Sequence, residues 1–198
     1  MGKVPTNFPT LGVDMLSVAG HKLYAPKGVG ALYLRQGLHL EPLLHGAGHE
    51  SGRRAGTENV LLDDALGAAC ELAAVDLEPR RARLTELRDY LHLGLKDLFG
   101  KDVQLNGHPT ERLPNRLNVG FAGHMGGEVL EALEGVAAST GSACHSGRRE
   151  MSPVLKAMGV SEAVGLGAVR FSIGRWTTFE ELETVLGLFR SNVLTHRS

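Results

Sequence analysis

Cysteine is scarce. The 198-residue chain has two, Cys70 and Cys144. They stand far apart in unlike settings, which argues against a disulfide framework and makes a reducing compartment the expected one. Net charge is nearly absent too. Twenty-one Lys and Arg against 22 Asp and Glu leave −1 at pH 7, which argues against electrostatic binding to nucleic acid or to a membrane surface. No apolar run approaches the length of a membrane span. The opening MGKVPTNFPT lacks an apolar core segment, so no signal peptide is expected and a cytoplasmic location is. Internal repeats and low-complexity linkers are missing as well. The apolar share of 42% and the charged share of 22% are ordinary for a soluble globular protein. Glycine is the exception: 26 residues, clustered in loops, favour tight turns or close backbone approaches to a ligand.

The chain is organised around Ala137 to Pro153, AASTGSACHSGRREMSP. Cys144 follows a run of small residues and precedes His145, Arg148 and Arg149. Ser152-Pro153 reads as a helix start, with Ser as N-cap and Pro at the first helical position. The preceding segment reads as a helix, Gly127 to Glu134, and a short strand, Val136 to Ser139. A polar loop between ordered elements can carry a reactive group to a site elsewhere in the fold. A thiol beside His and Arg can have its thiolate stabilised, the first requirement of a nucleophile. The competing reading is an ordinary free cysteine in a loop.

Upstream, Val13 to Val18 reads as a short buried strand and Ala31 to Arg35 as a second, paired antiparallel. Between them lie His21 and Lys22, just past a strand end, where a lysine can line a cleft of an α/β sheet; a solvated surface lysine is the alternative. His45 to Asn59, HGAGHESGRRAGTEN, is a Gly-rich loop with arginines and a Thr entering a long helix, which suits an anion such as phosphate. It is neither a P-loop nor a dinucleotide fingerprint. His45 and His49 lack a third metal ligand nearby, and no metal is expected.

Thr57 to Leu77 reads as a helix holding Cys70 as a packed structural cysteine. Glu78-Pro79 breaks the pattern, and a domain boundary is placed there, giving 1–78 and 79–198. Arg80 to Phe99 resumes it with Leu84, Leu87, Leu91 and Leu95 at helical steps. Val103 to Asn106, Leu117 to Phe121 and Ala168 to Ile173 read as strands, and Pro153 to Met158 as a helix ending at Gly159. Thr178 to Glu181 is a capping box opening a last helix that buries Leu182, Val185, Leu186 and Phe189. In AVRFSI, Arg170 alternates with Val169, Phe171 and Ile173, so it faces the other way. That makes it either a surface arginine or a guanidinium fork for a substrate carboxylate. Arg175, just past the strand, is an alternative fork.

Together GHKLYAPKGVGALYLR, HGAGHESGRRAGTEN, LPNRLNVGF, STGSACHS and AVRFSIGRWTT resemble the cysteine desulfurase and selenocysteine lyase family of class-V, fold-type I pyridoxal phosphate enzymes. The resemblance covers about Gly2 to Val193 and implies an α/β fold: the C-terminal part of a large cofactor-binding domain over 1–78, and a small α+β domain over 79–198. It implies that Lys22 forms the Schiff base with pyridoxal phosphate, that His21 helps bind the cofactor, and that Thr57 contacts the phosphate of a partner subunit's cofactor in a homodimer. Cys144 is then the nucleophile that takes sulfur or selenium from L-cysteine or L-selenocysteine, leaves L-alanine, and presents a persulfide to an acceptor protein. Arg170 then holds the substrate carboxylate.

Two features depart from the family's pattern. Ala19 stands where some members carry a phosphate-binding Ser. The segments that bring the Asp for the pyridine nitrogen and the ring-stacking His are not in the sequence. Three readings compete with the desulfurase: a selenocysteine lyase proper, favoured by His145 after Cys144; a non-catalytic fragment that associates with a full-length subunit or a sulfur acceptor; and a thiol-redox or metal protein using Cys144, His45 and His49.

Overall fold

The computed structural model describes residues 1–140 and 150–194. The chain divides into two compact units, Met1–Glu78 and Pro79–Ser198.

In the first unit a short helix α1 (Phe8–Leu11) is capped by Asn7, whose side chain accepts from Thr10 N at 3.1 Å. Strands β1 (Met15–Ala19) and β2 (Gly30–Leu34) pair antiparallel from Met15↔Leu34 to Ala19↔Gly30, within a residue or two of the sequence expectation. The strands meet closely where they turn. A Cβ on Gly20 would lie 2.8 Å from Val29 O, a distance no side chain tolerates. A one-turn segment α2 (His49–Gly52) contains two left-handed residues, Glu50 and Ser51. Helix α3 runs from Val60 to Ala74, starting three residues later than Thr57 because Asn59 caps it: its side chain accepts from Leu62 N at 3.3 Å. Leu66, Ala69 and Ala73 of α3 form a small core with Leu23 and Ala25, with Cys70 packed at its margin.

The expected break at Glu78-Pro79 falls earlier. Val75 is extended, Asp76 is left-handed with φ 55°, and α4 (Leu77–Phe99) starts at once. Pro79 lies in the first turn of α4, where its missing N–H costs no helical bond.

The second unit holds an antiparallel sheet in the order β3-β4-β5, made of Val103–Leu105, Arg116–Phe121 and Ala168–Ser172. Its odd positions, Leu117, Val119, Phe121, Val169 and Phe171, share a core with Leu84, Leu87, Leu91, Leu95 and Phe99 of α4. Helix α5 (Gly126–Ala132) adds Val129. Two short helices follow, α6 (Pro153–Ala157) and α7 (Glu162–Gly165). Ser152 occupies the N-cap position of α6, but its side chain makes no capping bond. Helix α8 (Phe179–Leu188) opens on the expected capping box. Thr178 N donates to Glu181 Oε2 at 3.0 Å, and Glu181 N donates to Thr178 Oγ1 at 3.2 Å. Phe189, fully buried, stacks on Phe121 at 5.2 Å between centroids and meets Phe99 edge-on at 5.6 Å. The strand expected over Val136 to Ser139 is reduced to a single bridge, Ser139↔Arg170.

Candidate active site

The β1–β2 connection begins with a 3-10 turn, Gly20–Leu23. Three residues per turn put Gly20 and Leu23 on one side and leave His21 and Lys22 on the other. Gly20 and Leu23 are buried, Leu23 at 6% exposure within the α3 core, while His21 and Lys22 are exposed. The turn is also held from the N-terminal segment, where Lys3 Nζ donates to the Lys22 carbonyl at 3.2 Å. So the Lys22 amine stands free to solvent on a turn whose backbone is fixed at both ends.

The Gly-rich loop before α3 is laced by local bonds. Gly56 N donates to His49 Nδ1 at 3.3 Å. Arg54 Nη1 donates to Gly56 O at 2.8 Å, and Arg53 Nη1 to Glu50 O at 3.2 Å. Glu50 N donates to a carboxylate oxygen of Glu58 at 3.4 Å. The backbone N–H of Glu58 itself, and then that of Glu50, hold the Glu58 carboxyl below its ordinary value. Thr57 is exposed, between Gly56 and the Asn59 cap of α3. Thr57 thus precedes the helix against which the Lys22 turn packs. Among the described residues no group of three His, Cys, Asp or Glu could hold a metal ion.

Arg170 lies in the middle of β5, opposite Asn118 of β4. It is half-buried and faces away from the core formed by Val169 and Phe171. Its Nε is buried and has no hydrogen-bond partner among the described residues. That differs from a surface arginine on a solvated sheet face. Arg116 of β4 repeats the pattern: half-buried, Nε buried and unpartnered. The sequence reading passed over it, although the alternation of Arg116, Asn118 and Gly120 with Leu117, Val119 and Phe121 is the same signal that singled out Arg170. Arg175 lies beyond β5, half-buried. Cys144, with His145, Arg148 and Arg149, lies outside the described residues. His21, Lys22 and Thr57 therefore fall in the first unit and Arg170 in the second.

Comparison with known proteins places this architecture. The sequence model of the aminotransferase class-V family matches residues 1–185. The chain belongs to that family. It is 49% identical over 190 residues to cysteine desulfurase 2 of Trichormus variabilis, covering 95% of this chain and 47% of that protein. It is 46% identical over 188 residues to the cysteine desulfurase IscS of Dictyoglomus turgidum, covering 94% and 48%. Among solved structures it superposes on a NifS-like protein with a TM-score of 0.86 at 33% identity, over 98% of this chain and 50% of that one. A NifS-like protein from Rickettsia africae gives 0.85 at 25% identity, over 97% and 51%. The expected α/β fold of a pyridoxal phosphate transferase is borne out. The chain spans about half the length of the curated relatives it matches.

Class-V aminotransferases and cysteine desulfurases use pyridoxal phosphate. The donors present in this chain fit that group's chemistry. Lys22 offers an exposed primary amine on an anchored turn, for an aldehyde. His21 offers an imidazole beside it, and exposed Thr57 a hydroxyl for a phosphate.

Proposed function

We propose that this chain supplies the lysine, the phosphate-side loop and the carboxylate fork of a pyridoxal phosphate-dependent cysteine desulfurase. The observation that carries the reading is the Lys22 amine: exposed, on a turn pinned by Leu23 and Lys3, in a chain of the class-V family. His21 and Thr57 would hold the cofactor with Lys22, and the cofactor would supply an electron sink for the substrate's Cα–Cβ chemistry. Lys22 anchors the group and exchanges protons with the substrate carbon. Arg170 holds the α-carboxylate through its guanidinium, whose Nε has no partner among the described residues. Cys144 takes the sulfur as a persulfide, leaving alanine, and passes it to an acceptor protein. The substrate is L-cysteine, with L-selenocysteine the alternative. The parent assembly is a cytoplasmic homodimer in which Thr57 serves the partner's cofactor, and 1–78 is the C-terminal part of its cofactor-binding domain.

A second reading, association with a full-length subunit or a sulfur acceptor without catalysis, is favoured by exposed apolar side chains in the first unit. Leu43 is 92% exposed, Leu61 84% and Val60 73%.

The test is the absorbance of the purified chain with added pyridoxal phosphate, before and after borohydride, beside Lys22→Ala. The desulfurase reading expects a visible band that borohydride fixes and that Lys22→Ala loses, with the label on the Lys22 peptide by mass spectrometry. It also expects alanine release from cysteine. A chain that takes up no cofactor overturns catalysis by this chain and leaves the association reading.

A further inference from the structure

We infer that Arg116 is a second carboxylate-binding residue, sharing with Arg170 one anion site on the outer face of the β3-β4-β5 sheet. The inference rests on the reading of Arg170 as the carboxylate fork and adds a residue to it.

The face is defined by the register. Arg116 pairs with Ser172, Asn118 with Arg170, and Gly120 with Ala168. These positions, with Gln104 of β3, point away from the leucine and phenylalanine core. None of them is Asp or Glu. Arg116 and Arg170 are diagonal neighbours on adjacent strands, about 7–8 Å apart at the backbone and within joint reach of one small ion.

Ser139 exchanges main-chain bonds with Arg170 across the far edge of β5, so towards β4 the Arg170–Asn118 pair is of the non-hydrogen-bonded kind, in which side chains stand closest. Between the two arginines, Asn118 spends its Oδ1 on Asn106 Nδ2 at 2.7 Å, leaving its amide nitrogen as the group still on offer. The middle of this face is therefore made of donors: two guanidiniums and one amide.

Two like charges at such positions repel, and no neighbouring position on this face of the three strands is an Asp or Glu that would offset them. Each also has a buried Nε without a partner among the described residues, a costly arrangement for a charged donor. Arg112 shows the contrast, because its Nη2 donates to Asn106 O at 3.1 Å although its Nε is likewise unpartnered. For Arg116 and Arg170 a small oxyanion held between the two guanidiniums offsets their repulsion. A carboxylate has two oxygens and about four lone-pair sites, enough for a nitrogen from each guanidinium. The ligand class is the carboxylate of a small amino acid. Arg116 gives the site a second positive group that tightens binding without replacing the fork.

The experiment follows the arginine Nε–Hε resonances of the intact chain by NMR while sodium acetate is titrated against sodium chloride at equal ionic strength. Arg116→Gln and Arg170→Gln assign the two signals. The inference expects both signals to move with one half-saturation concentration, and Arg116→Gln to weaken acetate binding about 10- to 150-fold, in line with one charge-assisted hydrogen bond. Movement of Arg170 alone, with Arg116→Gln at unchanged affinity, overturns the inference and leaves the Arg170 reading standing. Movement of neither signal overturns both. If Arg116→Gln does not fold, Arg116→Lys assigns the signal, and the shared half-saturation in the unsubstituted chain decides.

Discussion

Ser139 and Arg170 exchange both main-chain hydrogen bonds: Arg170 N donates to Ser139 O at 2.7 Å, and Ser139 N donates to Arg170 O at 3.2 Å. This bridge fixes the free edge of β5 at the residue that carries the proposed carboxylate fork. Proline at position 139 removes one of the two donors and restricts Ala138 to extended backbone. Ser139→Pro is expected to cost about 1–3 kcal/mol and to speed hydrogen exchange at the Arg170 amide. Urea unfolding and amide exchange check it; an Arg170 amide exchanging at its original rate would show that the bridge does not hold the edge.

The same bridge shows where sequence reading stops. Val136 to Ser139 has strand-like residues, yet only one of them pairs, because pairing depends on a partner edge that the local sequence does not encode. Period-based signals did better. Leu84, Leu87, Leu91, Leu95 and Phe99 fall on one stripe of α4 and are all buried. Thr178 and Glu181 state their capping geometry in their spacing. Pro79 misled in the other direction: a proline in the first helical turn breaks nothing, and the break between α3 and α4 lies at the extended Val75 and the left-handed Asp76. In the candidate site, the period-2 pattern gave the face of Arg170 but not its burial. The unpartnered Nε atoms of Arg116 and Arg170 depend on what surrounds the sheet, so only the structure shows them.

Gly120 is fixed by packing against α7. A Cβ there would overlap both the carbonyl oxygen and Cγ1 of Val164. Gly120→Ala is expected to destabilise by about 1–3 kcal/mol through overpacking. Gly127 in α5 is the control, since a Cβ there meets nothing within 4 Å. Gly127→Ala is expected to be neutral or to stabilise by up to about 1 kcal/mol, from helix propensity alone. Thermal unfolding of both variants makes the test, and equal effects would contradict the packing account.

Thr57 stands exposed between Gly56 and the Asn59 cap, where a hydroxyl can reach a phosphate. Thr57→Val keeps the shape and removes the hydroxyl. One hydrogen bond to a charged group is worth about 1.5–3 kcal/mol, so cofactor dissociation should tighten or loosen by roughly 10- to 150-fold with its presence or loss. The expected result is weaker retention of pyridoxal phosphate by Thr57→Val in equilibrium dialysis, with unchanged unfolding of the cofactor-free protein. Unchanged retention would remove Thr57 from the cofactor site.

His92 gives the chain a pH-dependent stability. It sits half-buried on α4, and burial, then the positive Arg112, press its pKa below the ordinary 6.5; Lys96 and Arg88 add to this, and Asp89 opposes it. The Arg112 pKa is itself lowered, by burial and then by Arg88, with Asp89 opposing. A histidine whose folded pKa is depressed takes up its proton more readily when unfolded. Its stabilising contribution is therefore complete above the unfolded value and is lost as pH falls from about 6.5 through the folded value. Urea unfolding at pH 7.5 and at 5.5 should show the native protein losing stability towards the lower pH. His92→Gln cannot titrate in that range, so its loss between the two pH values should be smaller. The other histidines are common to both proteins and cancel in the difference. If native and His92→Gln proteins lose the same amount, the cationic surroundings of His92 exert no linkage, and the pH response belongs to other groups.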